Sequence, residues 1–195
     1  MFGVTKFEPW KGPAYGNGTT NLLVLGESRF DEDFTDRKII EYLIGGNKHR
    51  TFTNFVQAAL SKRYWEEGYD PFVFWDKVLF YNYLTTFYPG EARVPPSSDQ
   101  REDPQNRKIL RSVLQKYKPS HCIVWGCENW DTIAVEGECW SPEWPIPGLA
   151  DPHNYRSVVV DNHPTLFSYI NHPSSIGFSF ERWGAVIAAF VALRT

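Results

Sequence analysis

Leu22-Leu23-Val24-Leu25-Gly26-Glu27-Ser28 is a run of four aliphatic residues closed by a glycine, a carboxylate and a hydroxyl. Apolar at every position rather than at alternate ones, it reads as a strand buried on both faces, the pattern of a central strand in a parallel sheet. Similar runs follow: Val78 to Leu84, interrupted by Asn82; Cys122 to Trp125, closed by Gly126; and the shorter candidates Val158 to Val160 and Leu166 to Ile170. The last of them leads into Asn171-His172-Pro173-Ser174-Ser175-Ile176.

Helical spacing fills the gaps between these runs. Phe52, Phe55, Val56, Ala59, Leu60 and Tyr64 share one face, with Thr51 or Thr53 as candidate cap. Asp103-Pro104 opens a second helix with its face at Ile109, Leu110, Val113, Leu114 and Tyr117. Glu128 to Val135 reads as a third, and Ser179 caps a last one carrying Val186, Ile187, Phe190 and Val191. Strand and helix alternate, so the expected fold is α/β: a three-layer αβα sandwich around a mainly parallel sheet of four to five strands. Residues 1–195 fit one domain, with 1–21 an irregular, Gly- and Pro-rich N-terminal segment. Two further loops, Tyr88 to Gln100 and Glu138 to Asn154, are rich in proline, and the second is long enough to cover a site or to pack as a structured insertion.

Composition excludes several classes. The longest apolar run, Ala185 to Leu193, is well short of the ~20 residues a bilayer span needs. A soluble, cytoplasmic chain without membrane contact is expected. Three cysteines, Cys122, Cys127 and Cys139, build no disulfide framework, and their spacing beside His121 matches no zinc pattern; no metal and no cofactor are expected. A net charge of -3 argues against a chain-wide grip on nucleic acid, although a local basic face suffices for a short segment. Basic residues gather at Lys48-His49-Arg50, Lys62-Arg63 and Arg101 to Arg111, each of which reads first as a solvated face. Most of the eight Trp, ten Tyr and fourteen Phe must be core, with a few left over as stacking surfaces.

Ligands of open α/β sheets bind at the carboxyl ends of the strands. Glu27, Asn82, Gly126 and His172 fall at such ends. A carboxamide reads the edge of a planar heterocycle through one acceptor and two donors, and an imidazole donates to an oxygen that gains negative charge as a bond breaks. A carboxylate orients water or stabilises a sugar cation opposite that leaving group. Together they describe cleavage of a base from a sugar.

At these residues the chain resembles the uracil-DNA glycosylase superfamily. Gly26-Glu27-Ser28-Arg29-Phe30 is similar to the first motif of the bacterial branches that begin Gly-Glu-Ala-Pro-Gly. Val78 to Thr85 resembles the strand that supplies the base-reading Asn, and His172-Pro173-Ser174-Ser175-Ile176 resembles the last motif, His-Pro-Ser-Pro-Leu. The resemblance spans most of Leu22 to Leu193 in order. It implies a DNA partner, a target nucleotide flipped into a pocket, and a monomeric enzyme that leaves an abasic site. Glu27 and His172 would be catalytic; Asn82, Phe52, Gly26 and Ser28 would bind the base. Ser174, Ser175 and Arg29 would hold DNA, and Ile176 would be the wedge that fills the space the base vacates. Arg29-Phe30 replaces Pro-Gly, Ser175 replaces the second Pro, and the cysteines are too few for the iron-sulfur cluster of those branches. The implied substrate is uracil or a modified pyrimidine, such as one a phage uses to disguise its genome. Two rival readings use the same residues: a Gly-Glu-Ser hydrolase with Ser28 as nucleophile, His163 or His172 as base and Asp161 as orienter, and a glycosylase-like binder without chemistry.

Overall fold

The computed structural model of the chain describes residues 8–28, 36–84 and 96–194. One sheet runs through it, in the order β1 (Trp10–Lys11), β3 (Leu79–Asn82), β2 (Leu22–Gly26), β4 (His121–Trp125), β7 (His163–Ile170), β6 (Asn154–Val160), β5 (Trp144–Pro145). Neighbours within the β3-β2-β4-β7 ribbon are parallel. β1, β6 and β5 extend it antiparallel at its two margins. The fold is α/β, and its seven-stranded mixed sheet is wider than the four to five strands expected. The added width comes from segments whose composition reads as loop. Trp10 and Lys11, within the segment expected to be irregular, pair with Phe80 and Leu79, and the Pro-rich stretch before Asn154 supplies β5.

Every residue of β2, β3 and β4 is buried, because both faces carry a core. Leu22 and Val24 point into one, with Phe80, Ile123, Trp125 and Ile170; Leu23 and Leu25 point into the other, with Leu79, Tyr81, Val124 and Phe167. Four helices supply the first core: α1 (Asp36–Ile44), α2 (Arg50–Leu60), α3 (Pro71–Trp75) and α7 (Phe180–Val191). A Cβ on Gly184 of α7 would sit 3.0 Å from the Ala58 carbonyl of α2, so the glycine lets these two helices cross closely. The second core is covered by α5 (Pro104–Tyr117) through Leu110, Val113 and Leu114, and by α6 (Cys127–Thr132) through Trp130. The short α4 (Ser98–Glu102) precedes α5.

Local chemistry sets the ends of these elements. Asp103 caps α5 with Pro104 in its first turn, and Ser179 caps α7, both as the sequence indicates. α2 differs. It begins at Arg50 behind His49, whose side chain makes no capping bond, so neither Thr51 nor Thr53 is the cap. It ends at Leu60 instead of reaching Tyr64, because Ser61 turns left-handed at φ 51 and its cap N–H groups close on the Ala58 and Gln57 carbonyls. No helix among the described residues is long and apolar enough to cross a membrane.

Candidate functional site

The four parallel strands end along one edge of the sheet. Gly26 is in register with Asn82 and Trp125 with Ile170, so Asn82, Gly26, Trp125 and the start of the His172 loop follow one another across it. At about 4.8 Å per strand, Asn82 and that loop are about 14 Å apart.

Gly26 and Asn82 are interlocked. A Cβ on Gly26 would lie 2.4 Å from Asn82 Oδ1, so the missing side chain makes the space the carboxamide occupies. Asp36, at the start of α1 and fully buried, accepts from Asn82 Nδ2 at 2.7 Å and from the Asn82 backbone N–H at 3.3 Å. These bonds fix the flip of the amide: Nδ2 points at the carboxylate, and Oδ1 lies over Gly26. Among the described residues the second N–H of the Asn82 amide and its Oδ1 make no further hydrogen bond.

Glu27 leaves β2 on the face of Leu23 and Leu25, opposite Gly26, as strand alternation requires. There Arg101 of α4 donates to Glu27 Oε1 from Nε at 3.0 Å and from Nη2 at 2.8 Å, and Nη2 also reaches Glu128 Oε2 on α6 at 2.7 Å. Arg101 is 8% exposed, far from the solvated face its sequence neighbours suggest. One carboxylate oxygen of Glu27 is thus held by a planar, charged fork, and Oε2 makes no hydrogen bond among the described residues.

His172 stands on the other side of the edge, on the face of Asn82 and Trp125. The Ser174 backbone N–H donates to Nδ1 at 3.3 Å, and Ser174 Oγ lies 2.7 Å from the same atom. A backbone N–H only donates, so Nδ1 is an acceptor and the neutral ring carries its proton on Nε2. Burial, and then the neighbouring His49, push the His172 pKa below the ordinary histidine value, which favours that neutral form. The ring meets Trp125 edge-on, with centroids 5.9 Å apart. Asn54 of α2 donates to the Pro173 carbonyl at 2.8 Å, Ser175 N–H donates to the His172 carbonyl at 2.8 Å, and Gly177 takes φ +81 to close the loop. Out of this tethered loop Ile176 projects fully exposed.

No known protein-family model and no curated protein matches the chain. The site therefore rests on its own geometry.

Asn82, Gly26 and His172 share one face of the edge, and Glu27 meets it from the other. Ser174 does not present a free hydroxyl, since its Oγ sits on His172, and Ser175 Oγ is buried without a partner among the described residues. Phe52 is 5% exposed among Trp75, Phe80 and Trp125, with centroids 5.3 to 5.8 Å away; the rest of it lines a cavity between α1, α2 and α3. Ser28 is half-buried beyond Glu27, and Arg29 lies outside the described residues. The hydrolase triad built on His163 is not brought together. His163 opens β7 and bonds the Pro119 carbonyl at 3.0 Å, about 20 Å by strand length from the edge that carries Ser28, and Asp161 pairs there with Gln115. Among the described residues no hydrogen bond joins His172 to Ser28. Asp36 and Asn54 are absent from the sequence reading, and Arg101 and His49 enter it only within basic clusters read first as solvated faces.

Proposed function

We propose that the chain is a monofunctional DNA glycosylase acting as a monomer on a flipped uracil or modified pyrimidine, with the three-layer αβα fold of the uracil-DNA glycosylase superfamily. The observation that carries this reading is the loop from Asn171 to Gly177. It holds a neutral imidazole with its proton on Nε2 and, four residues on, exposes the whole surface of an isoleucine. A lone solvated isoleucine gains nothing in the free protein, whereas an apolar side chain beside a base-sized gap fills it without needing hydrogen bonds. The order of β3, β2, β4 and β7 adds support, since it sets the carboxamide, the carboxylate and the imidazole along one edge.

In this mechanism the nucleotide leaves the stack and lies across the sheet edge. Asn82 Oδ1 and its remaining N–H read the base. As the C1′–N bond breaks, its electron pair moves onto the base, and His172 Nε2–H donates to the base oxygen where that charge collects. Glu27 Oε2 faces the sugar cation and takes a proton from the water that adds its hydroxide to C1′; that proton ends on the departing base. Arg101 keeps Glu27 in place from behind.

The test is excision. Labelled single- and double-stranded DNA carrying one uracil or one modified pyrimidine is incubated with the protein and treated with alkali to break abasic sites. The expected result is abasic product that Glu27→Gln and His172→Ala each reduce by about a hundredfold or more, with DNA affinity little changed. A broad base panel that yields no product sinks the enzyme reading and leaves at most a binder.

A further inference from the structure

We infer that Trp65, Tyr64 and the cavity beside Lys48 bind unpaired nucleotides flanking the target, which makes single-stranded DNA the substrate class. The inference rests on the glycosylase reading of the sheet edge. The cavity, of about 90 Å³, is walled by Phe52, Val56, Tyr69 and Trp75 and opens beside Lys48 and Tyr64. Where Ser61 ends α2, the chain turns back, and the Tyr64 N–H donates to Gln57 Oε1 at 3.1 Å, which anchors the Tyr64-Trp65 pair against the helix. The two rings meet edge to face at 4.7 Å. Tyr64 is 47% exposed and Trp65 67%, so the indole keeps most of its surface in water. Trp65 has no other ring contact among the described residues.

Charge identifies the occupant. Lys48 Nζ lies 4.4 Å over the Tyr64 ring, Lys62 Nζ bonds the Glu67 carbonyl, and neither of them nor Arg50 has a carboxylate partner among the described residues. Glu66, in the same turn, points its carboxylate back at the Arg63 backbone N–H. The open indole face of Trp65, next to a Tyr64 ring that already carries the Lys48 cation, suits a base joined to phosphates, although Glu66 and Glu67 follow it directly. A protein partner fits less well, because interface cores are depleted in lysine. Duplex bases are stacked on each other and present no face to Trp65, so the surface selects single strands.

The patch is also continuous with the site. His49, exposed at the start of α2, is an electrostatic neighbour of His172, and Lys48 beside it in sequence lies over the Tyr64 ring. Asn54, on the same helix, holds the His172 loop. A strand whose target base enters the sheet edge therefore passes α2 toward Trp65.

The experiment measures binding of a labelled oligothymidylate, and of its duplex with oligoadenylate, by fluorescence anisotropy. Neither probe carries an excisable base, so the result does not depend on abasic-site formation. The expected outcome is that Trp65→Ala weakens single-strand binding about tenfold or more, the loss expected from one base stack. Trp65→Phe should recover most of it, and duplex affinity should change less than twofold. Trp65 is exposed, so an unchanged far-ultraviolet dichroism spectrum is expected of both variants. Single-strand affinity unchanged in Trp65→Ala, or lost equally for single strand and duplex, overturns the inference.

Discussion

Gly26 shows how one missing side chain shapes the site. An alanine there would put its Cβ 2.4 Å from Asn82 Oδ1 and 3.3 Å from the Phe80 ring, and Asn82 cannot swing away while Asp36 holds it. Gly26→Ala should therefore cost about 1–3 kcal/mol in urea unfolding, the usual cost of overpacking. The penalty should shrink in an Asn82→Ala background, where the clashing carboxamide is gone; an equal penalty in both backgrounds would disprove the interlock. Arg101 makes a complementary case through charge. With Arg101 in place the Glu27 side chain is 20% exposed, and removing Arg101 takes away the cation that bonds it among the described residues. A displacement of about 1 Å in a reacting group costs about a hundredfold. If the chain is the glycosylase proposed above, Arg101→Ala should slow excision by about that factor while changing oligonucleotide affinity little, and Arg101→Lys, which lacks the fork, should restore only part of the rate. Full activity in Arg101→Ala would remove the positioning role.

The elements divide into those the sequence announces and those it hides. Continuous apolar runs mark β2 and β4 because burial on both faces leaves no polar position, and the Asp-Pro and Ser caps of α5 and α7 are local chemistry. Asp70 and Pro71 cap α3 in the same manner as Asp103 and Pro104 cap α5, yet five residues give no periodicity to notice. α4 sits at the end of a Pro-rich stretch, so Arg101 reads as surface although it is buried. Of the site, Glu27, Asn82 and His172 are legible as strand ends. Their partners Arg101, Asp36 and Asn54 are not, since Asp36 meets Asn82 across 46 residues and Asn54 meets Pro173 across 119. Spacing carries no trace of contacts made only by folding. The last of them yields a prediction about the loop after β7. Asn54→Ala removes the bond to the Pro173 carbonyl and should cost about 1 kcal/mol. Hydrogen exchange should quicken at the Ser175 and Phe178 amides, whose bonds close the loop, and stay unchanged in β4. Uniform acceleration across the chain would mean that Asn54 stabilises the whole fold and not the loop.

Across the whole molecule, histidine burial couples stability to pH. Of five histidines, His49, His121, His153 and His172 all have pKa values below the ordinary one, each chiefly because burial disfavours the charged ring. His121 and His153 matter most, at 2% and 6% exposed, with Nε2 on the Leu193 and Tyr169 carbonyls. His49 is solvent-exposed and counts for less. In the unfolded chain these rings titrate near ~6.5. The unfolded state thus binds protons first as pH falls, so the stabilisation is complete above that value and is lost as pH drops through it toward the lower folded values. The melting temperature should therefore fall steadily between about pH 7.5 and pH 5.5. The slope should be smaller in His153→Gln, because a neutral amide keeps a donor for the Tyr169 carbonyl and has no proton to gain. A melting temperature that is level or rises across that interval would mean that the rings are as accessible to protons folded as unfolded, and would contradict the packing of His121 and His153 against the sheet.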